Sequence, residues 1–77
     1  MNNDERKDFN VAFGNYIKEA RLRKNLAQGV VSKQLGVAQG YYCNIEQGNR
    51  NIDLQFAMKI CDVLNISLND FVDSQKR

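Results

Sequence analysis

The segment LAQGVVSKQLGVAQGYYCNIEQGNRNIDL, residues 26–54, contains two short helical patterns that lie close together. Apolar side chains one turn apart predict a helix over 28–35 and a second over 39–47. Gly36 and Gly48 follow these helices, and glycine readily takes the left-handed conformation in which many helices end. Only three or four residues join the first helix to the second. This short connection is typical of a helix-turn-helix.

A longer helix is predicted before this segment, over residues 9–24. Four apolar residues recur there at spacings of four, four and three, which places them on one face of a helix. They are Phe9, Phe13, Ile17 and Ala20. Gly14 lies within the same helix, where a glycine indicates that another backbone or ring packs closely against it.

Two more helices are predicted after the segment. Asp53 is suited to cap a helix over 54–64, whose apolar residues form a broad face. Ser67 is suited to cap a short fifth helix, with Asp70 three residues later as in a capping box. The sequence therefore predicts an all-α fold of five helices around one core.

Composition agrees with a single small helical domain. A chain of 77 residues is one domain, predicted over 9–73, with polar, flexible ends at 1–8 and 74–77. Proline is absent and apolar residues make up 43% of the chain, which favours helices over strands.

Several functional classes are excluded by residue type. No histidine is present, so histidine-based zinc sites and histidine-dependent catalytic triads are ruled out. Two cysteines are too few for a disulfide scaffold. No apolar run reaches the roughly 18 residues of a membrane span, and the charged amino terminus is no signal peptide. We expect a cytoplasmic protein without metal, cofactor or membrane partner.

Charge is concentrated in the middle of the chain. Residues 18–50 carry six basic and two acidic side chains, although the whole chain has a net charge of only +2. Such a block is equally typical of a solvated face and of a surface that meets nucleic acid.

The same segment resembles the λ-repressor-like, Cro/XRE family of helix-turn-helix proteins. The matching residues are Leu26, Gln28, Val31, Leu35, Gly36, Val37, Gln39, Tyr41, Ile45, Glu46, Gly48 and Arg50. The resemblance extends over roughly residues 9–72. The Phe13-Gly14 pair and the loop 50–54 are most similar to controller proteins of restriction–modification systems, although phage and plasmid regulators share these features.

The resemblance implies that the third helix enters the major groove of double-stranded DNA. Gln39 would bond an adenine edge through its amide, since glutamine matches adenine in that groove. Gln28 would touch a phosphate and brace Gln39, and Arg50 would meet the DNA backbone with the loop at Asn49. The predicted DNA-binding residues are Gln28, Gln39, Gly40, Tyr41, Cys43, Asn44, Asn49 and Arg50.

The resemblance also implies a partly buried ion pair between Arg21 and Glu46, which joins the first helix to the third.

Some positions depart from the family pattern. Alanines replace the usual Ser or Thr caps of the second and third helices, and glycines replace side chains at two further positions: Ala27, Ala38, Gly29 and Gly40. Tyr42 stands where Ile or Val is usual, so its hydroxyl needs a partner or solvent.

A homodimer is expected, because one module contacts only a few base pairs and useful specificity needs two half-sites. The apolar residues predicted for the interface lie late in the chain: Leu54, Ile66, Leu68, Phe71 and Val72. The alternative is that these residues only complete the core of the monomer.

These features predict a sequence-specific transcriptional regulator that binds a palindromic operator as a homodimer, in a restriction–modification or phage or plasmid operon. No small-molecule ligand is expected. The alternative is a protein-interaction module, such as an antitoxin or a regulator antagonist, which keeps the fold but binds a protein. An enzyme is not expected, because the carboxylates are scattered and no base–nucleophile pair is evident.

Overall fold

The computed structural model describes the backbone of residues 3–76 and the side chains of residues 7–76. It contains five helices: α1 (Asn3–Arg23), α2 (Gln28–Leu35), α3 (Gln39–Glu46), α4 (Leu54–Leu64) and α5 (Leu68–Gln75). Across the described backbone there is no strand, so the all-α prediction is confirmed. No helix in this part of the chain is both long and apolar enough to cross a membrane.

The helix boundaries agree with the sequence patterns except at α1. This helix begins at Asn3 rather than at Phe9, where the apolar stripe starts. The residues between them are mostly acids, bases and amides, which are compatible with a helix, and acids near an amino terminus interact favourably with the helix dipole. Of the ends that we predicted to be flexible, residues 1, 2 and 77 lie outside the described residues.

Local chemistry explains how the short helices begin and end. Asp53 accepts a hydrogen bond from the backbone N–H of Phe56 at 2.8 Å, and Ser67 accepts one from Asp70 at 3.2 Å. Within the described residues, Ala27 and Ala38 make no side-chain cap. Gly36 ends α2 with a φ of +76°, the left-handed region that glycine enters without strain.

The core lies between α1 and the four shorter helices. Its buried apolar residues are Phe13, Ile17, Ala20, Val31, Leu35, Tyr42, Ile45, Ala57, Ile60, Cys61, Leu64 and Phe71. Gly14 allows α1 to lie directly on the carboxyl end of α3: a Cβ at this position would stand 2.6 Å from the carbonyl oxygen of Ile45. The close approach expected at Gly14 is therefore present.

Phe71 is a core residue and not a surface residue. It is 1% exposed, and its ring packs against Phe9, Phe13 and Tyr16 with centroid distances of 5.5, 5.2 and 5.2 Å. The hydroxyl of Tyr16 donates to the carbonyl oxygen of Ser67 at 2.8 Å, which ties α1 to the start of α5. The prediction that Phe71 contributes to a dimer interface is corrected, because its side chain is buried in the core of the monomer.

Candidate nucleic-acid interface

Helix α3 presents one polar face to solvent and buries the other. Gln39, Gly40 and Asn44 are exposed, while Tyr41 and Cys43 are half-buried at the edges of that face. The opposite side carries the buried residues Tyr42, Ile45 and Glu46. This division follows from the helical period, which returns a residue to the same side every three or four positions. The exposed face therefore offers amide groups and no ionised side chain.

A buried polar network fixes the inner side of α3 to α1. Nε of Arg21 donates to Oε2 of Glu46 at 2.7 Å, and Nη2 donates to Oε1 at 3.1 Å. Nη1 of Arg21 also donates to the carbonyl oxygen of Leu26 at 2.8 Å. The two side chains are 9% and 2% exposed. The ion pair that the resemblance implied is present, and its two parallel bonds fix the orientation of α3 relative to α1.

Gln28 belongs to this network and not to the outer face. Its Nε2 donates to Oε1 of Glu46 at 2.9 Å, and no hydrogen bond among the described residues joins it to Gln39. In the described structure the Gln28 amide is bonded to the buried carboxylate, the stronger acceptor, and not to Gln39. The amide of Gln39 lies instead over Gly29.

The network shifts the proton affinities of its members. Burial opposes ionisation of Glu46, but hydrogen bonds led by those from Arg21 outweigh it, so the pKa of Glu46 is lowered. Burial, followed by the adjacent Glu46 carboxylate, raises the pKa of Tyr42. The Tyr42 hydroxyl has no hydrogen-bond partner among residues 7–76. The sequence predicted that this hydroxyl meets a partner or solvent; in the described structure it is buried beside the Glu46 carboxylate without a regular hydrogen bond.

The loop after α3 is held by its own contacts. The guanidinium of Arg50 lies 4.7 Å from the centroid of the Tyr41 ring, within the range of a cation–π interaction. The Tyr41 ring also packs against Phe56 of α4, with the two ring centroids 6.2 Å apart. Arg50 is the one basic residue between Gln39 and Asp53. Its charge is thus placed beside the exposed face of α3.

Gln47 is a polar residue that the sequence reading overlooked. Its Nε2 contacts Sγ of Cys43 at 3.5 Å, and its Oε1 accepts from Nδ2 of Asn49 at 3.2 Å. It is exposed, three residues after Asn44 and four after Cys43. That helical spacing was a signal that could have placed Gln47 on the outer face of α3.

The predicted interface residues differ in exposure. Leu54 is 68% exposed and Val72 is 38% exposed, whereas Ile66 and Leu68 are half-buried. An apolar groove is lined by three of them, Leu54, Leu68 and Val72. Phe9 also lines this groove, whereas the sequence places Phe9 only on the apolar face of α1. Three of the five residues predicted for the interface therefore line the groove. Neither Phe71, which is in the core, nor Ile66 is among the lining residues.

The thiols differ in environment. Cys61 is buried on the apolar side of α4, and burial raises the pKa of its thiol, so it behaves as a core residue. Cys43 is half-buried at the edge of the exposed face. No group of three His, Cys, Asp or Glu side chains in the described part of the chain is placed to hold a metal ion.

Comparisons with known proteins place this geometry in a family. The Helix-turn-helix family model matches residues 17–71. Control protein C.MunI from Mycoplasma sp is 37% identical over 71 residues, which cover 90% of this chain and 96% of that protein. The crystal structure of the restriction–modification controller protein C.AhdI from Aeromonas hydrophila matches with a TM-score of 0.74 and 30% identity. This match covers 83% of this chain and 96% of that one.

Proposed function

The chain belongs to the helix-turn-helix family, and from this membership we propose that it is a sequence-specific DNA-binding regulator that controls transcription of a restriction–modification operon. The observation that carries the proposal is the exposed amide face of α3, held from beneath by the buried pair of Arg21 and Glu46. A helix of this length fits the major groove, where each base pair shows a distinct set of donors and acceptors.

Base reading is assigned to the exposed face of α3. Gln39 lies at its first residue and Asn44 lies further along the same face. Both side chains carry an amide, which can bond the adenine edge through a donor and an acceptor together. Tyr41 and Cys43 flank this face, and Gly40 leaves space beside Gln39.

Backbone anchoring is assigned to the loop after α3. Arg50 supplies a cation there, and the exposed Asn49 supplies amide donors. Contacts of this kind set the position of the protein on DNA without reading sequence. The loss of Arg50 is therefore expected to weaken binding to all sequences alike.

A homodimer on a palindromic operator completes the proposal. Two copies would present their α3 helices to half-sites about 34 Å apart. The support for this arrangement is the apolar groove that contains Leu54, Leu68 and Val72, because exposed leucine and valine side chains gain stability when a second copy covers them.

Selection of binding sites from a random duplex pool, repeated at two salt concentrations, tests the proposal. The expected result is an enriched inverted repeat whose affinity falls steeply as salt rises, because phosphate contacts release counterions. Gln39→Ala should relax the preference at one position of each half-site, and Arg50→Ala should weaken all sites equally. Gln75→Ala removes the same amide from the end of α5 and serves as the matched control.

Sedimentation tests the dimer separately. The wild-type chain should associate at micromolar concentration, and Leu54→Asp should keep it monomeric while the helical content is retained. A wild-type chain that stays monomeric well above that concentration would refute the dimer. Weak, uniform DNA binding with no enriched sequence would refute the regulator and favour a protein-interaction module.

A further inference from the structure

The amide of Gln39 lies over the bare Cα of Gly29, where α3 meets α2. A Cβ built on Gly29 would stand 3.1 Å from Oε1 of Gln39 and 3.7 Å from its Cδ. The first distance is shorter than an ordinary Cβ contact, so a side chain at position 29 would displace the amide by a few tenths of an ångström. The present position of the Gln39 amide therefore depends on a glycine beneath it.

No hydrogen bond among the described residues holds the Gln39 amide in this position. The neighbouring amide of Gln28 is bound to Glu46 at 2.9 Å and does not hold Gln39 in any described contact. Apart from its two chain neighbours and the backbone of α2, no other described atom lies within 4 Å of a Cβ at Gly29. The absence of a side chain at Gly29 thus leaves the space on α2 in which the Gln39 amide lies.

This inference rests on the proposed DNA-reading function of α3. We propose that Gly29 is a positioning residue for base recognition, which acts through Gln39 and sets the orientation in which that amide meets a base pair. Recognition of an adenine edge needs the amide oxygen and nitrogen to align with two base atoms at once. A displacement of a few tenths of an ångström at the amide would disturb both hydrogen bonds together.

Stability and specificity should respond to Gly29→Ala in opposite directions. Alanine favours a helix more than glycine does, so α2 should gain stability. The atoms that the new methyl group meets belong to the far end of a flexible, exposed side chain, which can move at little cost to the fold. A purely structural glycine would instead lose stability when it is replaced.

The experiment compares full-length variants in competition binding on the enriched site and on copies altered at the base pair that Gln39 reads. A bidentate contact gives roughly 5- to 150-fold discrimination against the wrong base. Gly29→Ala should reduce this discrimination by about three- to tenfold, leave the other base pairs unaffected and not lower the melting temperature. Gly29→Leu should remove it as completely as Gln39→Ala does.

Two controls separate the contact from general effects on α2. Gly29→Ala made in the Gln39→Ala background should cause no further change in discrimination, because the residue through which it acts is absent. Val30→Ala alters the next, exposed residue of α2 and should keep the wild-type preference. A nuclear Overhauser effect between the Gly29 Hα protons and the Gln39 side chain in free protein reports the contact without DNA.

The possible failures can be distinguished. Full discrimination in Gly29→Ala, or absence of the Overhauser effect, would overturn the role of Gly29 and leave the regulator intact. An unchanged preference in Gln39→Ala would also overturn it, since Gln39 would then read no base. A wild-type chain that enriches no sequence would overturn the proposed function, and the positioning role with it.

Discussion

Gly14→Ala is expected to destabilise the protein although alanine is the better helix former. Residue 14 lies inside α1, where it faces the carboxyl end of α3. A Cβ at this position would lie 2.6 Å from the carbonyl oxygen of Ile45 and 2.8 Å from the carbonyl carbon of Glu46, whereas ordinary contact begins near 3.4 Å. These atoms belong to the backbone, so they cannot turn aside as a side chain can.

The magnitude follows from two opposing effects. Replacing glycine within a helix contributes about 1 kcal/mol of stability. Relief of the overlap requires α1 and α3 to separate by several tenths of an ångström, and overpacking of this kind costs about 1–3 kcal/mol, with rigid backbone at the upper end. The net loss is therefore about 2 kcal/mol. A chain of this size has only about 4–12 kcal/mol in total, and the melting temperature should fall by roughly 8–16 °C.

Thermal unfolding followed by circular dichroism at one fixed protein concentration measures the effect. Gly40→Ala is the matched control, because a Cβ there would meet no described atom within 4 Å apart from its chain neighbours and the backbone of α3, and it should gain about 0.5–1 kcal/mol. A Gly14→Ala protein as stable as the wild type, with Gly40→Ala unchanged or better, would show that α1 and α3 do not meet as closely as described.

Three further outcomes are expected. Glu46→Gln should cost about 3–5 kcal/mol in urea unfolding, because Arg21 loses its buried partner. The pKa of Glu46 lies below its ordinary value of 4.5, because the hydrogen bonds from Arg21 outweigh the effect of burial. The ionised Glu46 therefore stabilises the fold fully above pH 4.5, and this stabilisation is lost as the pH falls through the lowered pKa. Acid unfolding at the same pH in wild type and Glu46→Gln would contradict this expectation. Tyr42→Phe should raise the free energy of unfolding by about 1 kcal/mol, because it removes a buried hydroxyl without a hydrogen-bond partner. A decrease of similar size in the same urea assay would show that the hydroxyl bonds to Glu46. Tyr41→Leu should remove a cation–π contact of Arg50 worth about 0.5–1 kcal/mol. Arg50→Ala should therefore weaken DNA binding less in the Tyr41→Leu background than in the wild type. Additive losses of affinity from the two substitutions would show that Tyr41 and Arg50 act independently.

Helix positions and the type of fold could be read from the sequence because their signals are local. Apolar spacing placed α2 and α4, the glycine at 36 ended α2, and Asp53 and Ser67 capped the last two helices. Each of these effects acts within one or two turns of chain, so no knowledge of distant residues was needed.

The outer face of α3 could also be anticipated, because helical spacing alone assigns residues to a face. The family pattern added the pair of Arg21 and Glu46. Gln47 was missed although the same spacing indicates it. The exposed face and, through the family pattern, the ion pair beneath it were therefore predictable, while the hydrogen bond of Gln28 to Glu46 and the contact of Gln39 with Gly29 were not.

Partner choice depended on tertiary structure. Gln28 binds Glu46 rather than Gln39, Phe71 fills the core beneath α1 rather than a surface, and Gln39 lies over Gly29. In each case the competing partners come from different helices, whose distance and orientation are set by packing of the whole core. Helical periodicity determines which side of a helix a residue occupies, but the relative placement of α1, α2, α3 and α5 determines what that side chain meets.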